Sequence, residues 1–351
     1  MRYPHSNKLL HLACLATSLI SAPLHADILE VAGAPPFTSS TNTGFKGDMV
    51  AIHPGQGVNN TGTAVAFADK YTAGTLVGMR SLRWNAAGGF ELGTLGDNGS
   101  GVTTSHPYAI NNPGVAVGYA YVFSGATFNG YRAVRWDAGS TAATALGNLG
   151  LSASGGTLAQ AIAINDAGTT VGYASKMSST FNFGFRAVRW DAGTTVATEL
   201  GNLAASATGS SDTQAFAINA SGTAVGLGDK FIGPADKGSR AIRWDAGSTL
   251  ATELDALGTN LSGVTESTAY AINAAGTAVG EANKYSGNTS LGARAVRWDA
   301  GTTAAVELAT LGTNLSGFTD ARAYAVNASG MAAGLANKYS GNGNLGTRAV
   351  R

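Results

Sequence analysis

The segment Arg294-Ala295-Val296-Arg297-Trp298-Asp299-Ala300-Gly301 decides the fold, because the chain writes it repeatedly. Trp84, Trp136, Trp190, Trp244 and Trp298 close the same phrase at separations of 52, 54, 54 and 54 residues. A fixed period of that length marks one supersecondary unit copied and stacked. Working outward, an Asn-x-x-Gly turn lies 25 residues before each Trp: Asn59, Asn111, Asn165, Asn219 and Asn273, with a sixth copy at Asn327. A Leu-x-x-Leu pair starts at Leu92, Leu146, Leu200, Leu254 and Leu308, always 19 residues before the next Asn.

Each copy reads as four short strands. Tyr270 to Asn273 is a first strand, and Asn-x-x-Gly is a tight turn, because Asn bonds its own backbone and Gly tolerates positive φ. Thr277 to Gly280 returns as a second strand, Arg294 to Trp298 is a third, and Val306 to Leu311 a fourth. Four strands in about 54 residues suit a propeller blade better than a solenoid coil. The expected fold is therefore an all-β β-propeller, with small apolar residues on both sheet faces and the indoles between blades. Six hairpins imply six blades, the last incomplete. Asp27 to Val31 is a candidate strand that would close the ring and remove open sheet edges.

Composition agrees with this outline. Hydrophobic residues make up 44% and charged residues 12%, and 49 glycines make long helices unfavourable. The net charge of +1, with no basic stripe, offers no footprint for nucleic acid. At the N-terminus, Arg2, His5 and Lys8 precede an apolar run from Leu9 to Ile20 and a small-residue exit at Ala26, the pattern of a secretory signal peptide. The run is too short to span a bilayer. The expected organisation is a signal peptide over 1–26, an N-terminal segment over 27–48 and the repeat body over 49–351. Cys14 is the only cysteine, so the mature chain carries no thiol and no disulfide.

The phrases Ile272-Asn273-Ala274-Ala275-Gly276, Arg-Ala-Val-Arg-Trp and Leu92-Gly93-Thr94-Leu95-Gly96 resemble the repeats of the HAF family of bacterial extracellular repeat proteins. The resemblance runs from about Met49 to Arg351. It departs in the Trp strand, where the family usually has Phe and this chain has Val134, Val188, Ile242 and Val296. It implies an exported, propeller-like protein and carries over no catalytic residue.

No nucleophile elbow, phosphate loop or metal-binding helix motif is present. His53 and His106 stand outside metal-ligand spacing. Asp137, Asp191, Asp245 and Asp299 follow the indoles, and Glu91, Glu199, Glu253 and Glu307 precede the leucine pairs. A carboxylate copied into every unit reads as structural, since an active site needs one asymmetric constellation. Calcium at the Asp-Ala-Gly turns or at Asn165–Gly168 is a weaker alternative. No catalytic residue, cofactor or metal is assigned.

One repeated polar feature invites a ligand. Eleven residues after each Asn stand Lys70, Lys176, Lys230, Lys284 and Lys338, most followed by an aromatic: Tyr71, Phe231, Tyr285 and Tyr339. As a ring on one face they would suit acidic glycans, although Lys also protects strand edges. The expected function is a non-enzymatic extracellular or cell-surface interaction module, with a glycan or a surface protein as partner. The alternatives are a carbohydrate-active enzyme on a propeller scaffold and a structural part of a longer anchored protein.

Overall fold

A computed structural model describes residues 44–50, 56–85 and 88–351. The signal peptide, the candidate strand Asp27 to Val31 and His53 lie outside the described residues. Among the described residues every regular element is a strand, and no helix is long and apolar enough to cross a membrane. The first sheet holds β1 (Gly44–Val50), β2 (Ala64–Thr72), β3 (Thr75–Asn85) and β4 (Gly88–Glu91). The second holds β5 (Ser105–Ile110), β6 (Ala116–Ser124), β7 (Thr127–Trp136) and β8 (Ala143–Ala145). The third holds β9 (Thr157–Ile164), β10 (Thr170–Met177), β11 (Asn182–Trp190) and β12 (Ala197–Glu199). The fourth is β13 (Thr213–Ile218), β14 (Ala224–Ile232), β15 (Ala235–Trp244) and β16 (Ala251–Glu253). The fifth is β17 (Ser267–Ile272), β18 (Ala278–Ser286), β19 (Thr289–Trp298) and β20 (Ala305–Glu307). The sixth has three strands: β21 (Ala321–Val326), β22 (Ala332–Ser340) and β23 (Gly343–Val350).

Within each sheet the strands follow one another antiparallel, as the hairpin reading expects. Four details differ. The second and third strands extend well past the apolar core, to a tight turn such as that at Gly287. The fourth strand is only a few residues long, and the leucine that follows it turns inward. The first sheet starts at Gly44, ahead of the expected boundary at 49, and β1 pairs with the outer half of β2. The second and third sheets are joined where β7 and β9 run parallel at Gly130–Thr157 and Tyr131–Leu158, so they form one eight-stranded sheet. Among the described residues no strand of the sixth sheet pairs with the first.

The cores lie between sheets. Trp136 packs with Val65 and Leu92 of the first sheet, and Trp190 with Val117 and Leu146 of the second. All five indoles are at most 3% exposed. Four of the five ring N–H groups find a backbone partner, as favours burial of so large a ring. Nε1 of Trp136, Trp190 and Trp244 donates to the carbonyls of Gly93, Gly147 and Gly201 of the preceding repeat at 2.9–3.0 Å, and Trp298 donates to Asp255 at 2.9 Å.

The Asn-x-x-Gly turns do more than reverse the chain. Oδ1 of Asn165 accepts the Thr169 amide at 2.9 Å, and Gly168 takes φ of +89°. Its Nδ2 then donates to the backbone carbonyl of Asn219 in the next repeat at 3.1 Å. The same bond runs from Asn59 to Asn111, Asn111 to Asn165, Asn219 to Asn273 and Asn273 to Asn327. The six turns are thereby tied into one ladder.

The first strands of the second to sixth sheets carry a β-bulge three residues before the Asn. In β5 the register passes from Pro107–Gly118 to Ala109–Val117 and leaves Tyr108 as the extra residue; Tyr270 occupies the same place in β17. A bulge re-aims a side chain. It also brings two backbones together: a Cβ on Gly118, Gly172, Gly226, Gly280 or Gly334 would run into the facing carbonyl. That close approach is why glycine recurs there.

Candidate functional site

The lysines do not form a free ring. Nζ of Lys70, Lys176, Lys230 and Lys284 pairs with Glu91, Glu199, Glu253 and Glu307 of the same repeat at 2.7–2.8 Å. The other carboxylate oxygen faces Nε of Arg80, Arg186, Arg240 and Arg294 at 3.2–3.4 Å. Each of these arginines is buried, and burial lowers the pKa of Arg80, Arg186 and Arg240. Its guanidinium is held by carbonyls of the loop leading to the next repeat, such as Thr265 for Arg240 at 2.5 Å and Thr319 for Arg294 at 2.6 Å. The glutamate therefore bridges an outer lysine and an inner arginine that pins the connecting loop. Lys338 is exposed and makes no ion pair among the described residues. Tyr71, Phe231, Tyr285 and Tyr339 are half-buried beside these positions. The signal was present in the sequence: the second repeat has Val122 for the lysine and Ala145 for the glutamate, losing both together.

The aspartates after the indoles are likewise occupied. Arg135, Arg189, Arg243 and Arg297 bond Asp137, Asp191, Asp245 and Asp299 at 2.8–2.9 Å within the same repeat. The guanidinium of Arg243 also reaches the Thr302 carbonyl of the following repeat at 3.0 Å. The carboxylates thus serve an arginine clamp.

Residues that recur are spent on scaffold, so the site must be sought where the copies differ. Two half-exposed positions vary in chemical type: five residues before the Asn (His106, Gln160, Gln214, Arg322, with buried Thr268) and eight after it (Phe67, Tyr119, Tyr173, Leu227, Glu281, Leu335). The sheet pairing sets His106 opposite Tyr119, and Gln160 opposite Tyr173. With the bulge residues Tyr108, Phe216, Tyr270 and Tyr324 they form a track along the seams between sheets.

The first part of this track is aromatic. Phe67 meets His106 of the next sheet at 3.9 Å between ring centroids, His106 stacks on Tyr119 at 5.6 Å, and Tyr119 meets Tyr131 at 5.1 Å. The hydroxyls of Tyr108 and Tyr173 both donate to Oε1 of Gln160, at 2.9 and 2.8 Å. Burial, reinforced by neighbouring phenols, pushes Tyr119 up to about 12, and raises Tyr108 and Tyr173 as well.

The second part is charged. In the fifth and sixth repeats, Glu281 accepts from the Tyr270 hydroxyl and from Nε of Arg322 at 2.5 Å. Burial would lower the Arg322 pKa, but the facing Glu281 carboxylate raises it. Glu266, Glu281, Asp320 and Arg322 line a cavity of about 250 Å³ here. In the fourth repeat burial raises the Asp229 carboxyl, opposed by the hydrogen bond that it accepts from the Asp212 amide at 2.9 Å. Sequence reasoning missed this track because it searched for residues that repeat; His106, noted only as standing outside metal-ligand spacing, sits in its middle.

No family model and no curated protein matches the chain. Among solved structures, a protein of unknown function from Dyadobacter fermentans aligns at 12% identity over 83% of this chain and 91% of its own, with a TM-score of 0.39. The β-propeller domain of the Trilobed protease from Pyrococcus furiosus aligns at 8% identity over 81% of this chain and 89% of its own, TM-score 0.34. A prolyl endopeptidase aligns at 12% identity over 79% of this chain, TM-score 0.39, and the chain spans only 39% of that enzyme.

Proposed function

We propose that the protein is an exported, non-enzymatic interaction module of the propeller type, related to the HAF repeat proteins, that presents its variable seams to an extracellular ligand. One observation carries the reading: recurring polar side chains are engaged by their own or the next repeat, whereas the half-exposed seam positions differ from sheet to sheet. A rigid frame with a variable inner face is how repeat proteins build extended binding surfaces. The six sheets act as blades, and Asp27 to Val31 supplies the missing strand of the sixth. Export is checked by N-terminal sequencing of the secreted protein, expected to begin at Asp27. Binding is checked with arrayed glycans and cell-surface extracts, using two variants. Lys230→Ala/Lys284→Ala/Lys338→Ala alters the rim, and Phe67→Leu/Tyr119→Leu/Tyr173→Leu alters the seam. Loss on the seam change alone supports the reading; loss on the rim change alone moves the site to the lysines, and no specific binding rejects it.

A second reading, a carbohydrate-active enzyme, is favoured by the three carboxylates lining one cavity in the fifth and sixth repeats. Glycoside hydrolysis uses such a pair. Hydrolysis of a glycoside panel that disappears in Glu281→Gln would establish it.

A further inference from the structure

We propose that the aromatic seam of the first three sheets binds a neutral saccharide chain. This rests on the interaction-module reading and names the ligand of that surface. The cluster Phe67, His106, Tyr108, Tyr119, Tyr131 and Tyr173 is half-buried, so ring surface remains available to solvent. The frame does not require these rings, because the same chain puts Leu227 and Leu335 in the place of Tyr119 and Tyr173, and Gln214 in the place of His106. The tyrosine hydroxyls gathered on Gln160 fix the ring orientations and set polar groups beside apolar faces. Ligand sites of this kind are apolar and aromatic, with a few placed polar groups that fix orientation.

Charge selects among ligands that stack. Single-stranded nucleic acid also lies on aromatic platforms, but it needs cations along its phosphates. Besides burial, the groups that shift Tyr108, Tyr119, Tyr131 and Tyr173 are neighbouring phenols and Gln160, with no Lys, Arg, Asp or Glu among them. A sugar ring presents apolar C–H faces and uncharged hydroxyls, matching both halves of this chemistry. The charged part of the track, from Asp212 to Arg322, belongs to other repeats.

The test is affinity electrophoresis of the full protein through gels containing xylan, glucomannan or soluble starch, with alginate and polygalacturonate as acidic counterparts. The variant His106→Gln/Tyr119→Leu/Tyr173→Leu uses only residues that the chain already places there. We expect retardation by at least one neutral polysaccharide, weakened at least about tenfold in the variant. In parallel, that polysaccharide should slow nitration of Tyr119 and Tyr131 in the unaltered protein, a readout that does not depend on the variant folding. No retardation by any neutral polysaccharide overturns the proposal, as does unchanged retardation of a folded variant or unchanged nitration. Retardation by acidic polysaccharides alone, or binding to a protein alone, would overturn it while leaving the interaction-module reading standing.

Discussion

Asn219 shows how much one side chain does in this frame. Its Oδ1 accepts the Thr223 amide at 2.9 Å and the Ser221 hydroxyl at 2.7 Å, while Nδ2 crosses to Asn273 at 3.2 Å. Asn219→Ala should cost about 2–3 kcal/mol, read as a lower urea midpoint, since it strands buried polar groups on both sides of the repeat boundary. Trp244→Ala should cost about 3–5 kcal/mol by the same measurement, because the indole fills the space between two sheets. Tyr119 sets a pH limit. Its folded pKa of about 12 lies above the ordinary 10.0, so the folded state keeps the neutral phenol when the unfolded chain has begun to lose its proton. The stability it contributes is whole below pH 10 and disappears as the pH climbs toward 12. Tyrosinate absorbance should therefore lag behind that of free tyrosine and rise together with loss of the circular dichroism signal.

At the scale of the strand, the Lys–Glu–Arg bridge and the bulge make opposite demands. The second repeat already lives without the bridge, carrying Val122 and Ala145 while Arg132 still reaches the Gly155 and Thr157 carbonyls. Lys230→Val/Glu253→Ala should thus change stability by no more than about 1 kcal/mol, as for a partly exposed ion pair. Arg240→Ala should cost about 3 kcal/mol, because loop carbonyls lose a buried donor. Gly280→Ala, which drives a methyl into the Thr268 carbonyl, should cost about 2–3 kcal/mol. Thermal unfolding of the three variants orders these costs. The strands, turns and buried indoles were legible in the sequence because Asn, Gly and Trp recur at fixed separations. The bulge at Tyr108 was not, since it depends on how two strands meet and adds no residue to the spacing. The lysine bridge was missed for another reason: each lysine was read alone, although its glutamate vanishes with it in one copy. The seam at Phe67, His106 and Glu281 stayed hidden because comparing copies for sameness discards the positions that differ.

Among the described residues, five apolar clusters join each sheet to the next, while the sixth sheet has a more open face. Ala278, Val279 and Gly280 of β18 are buried, but the matching Ala332, Ala333 and Gly334 of β22 are only half so, and Leu335 is exposed. With that face left uncovered, native-state hydrogen exchange would be fastest in β22 and β23 and slowest in β10, β14 and β18, since local opening follows the apolar surface that must be parted; such a result would reject closure by Asp27 to Val31. Uniform protection across all six sheets would show that something covers that face. In an array of this kind stability sums over copies and their neighbour contacts. The asparagine ladder has a genetic corollary. Every rung offers the same donor and receives on the same acceptor, so any copy can follow any other without a break in the spine. Unequal recombination within the gene would lengthen, shorten or shuffle the array and still encode a foldable chain, each time bringing a new pair of seam residues face to face. Selection can thus act on recognition while inheritance conserves the frame.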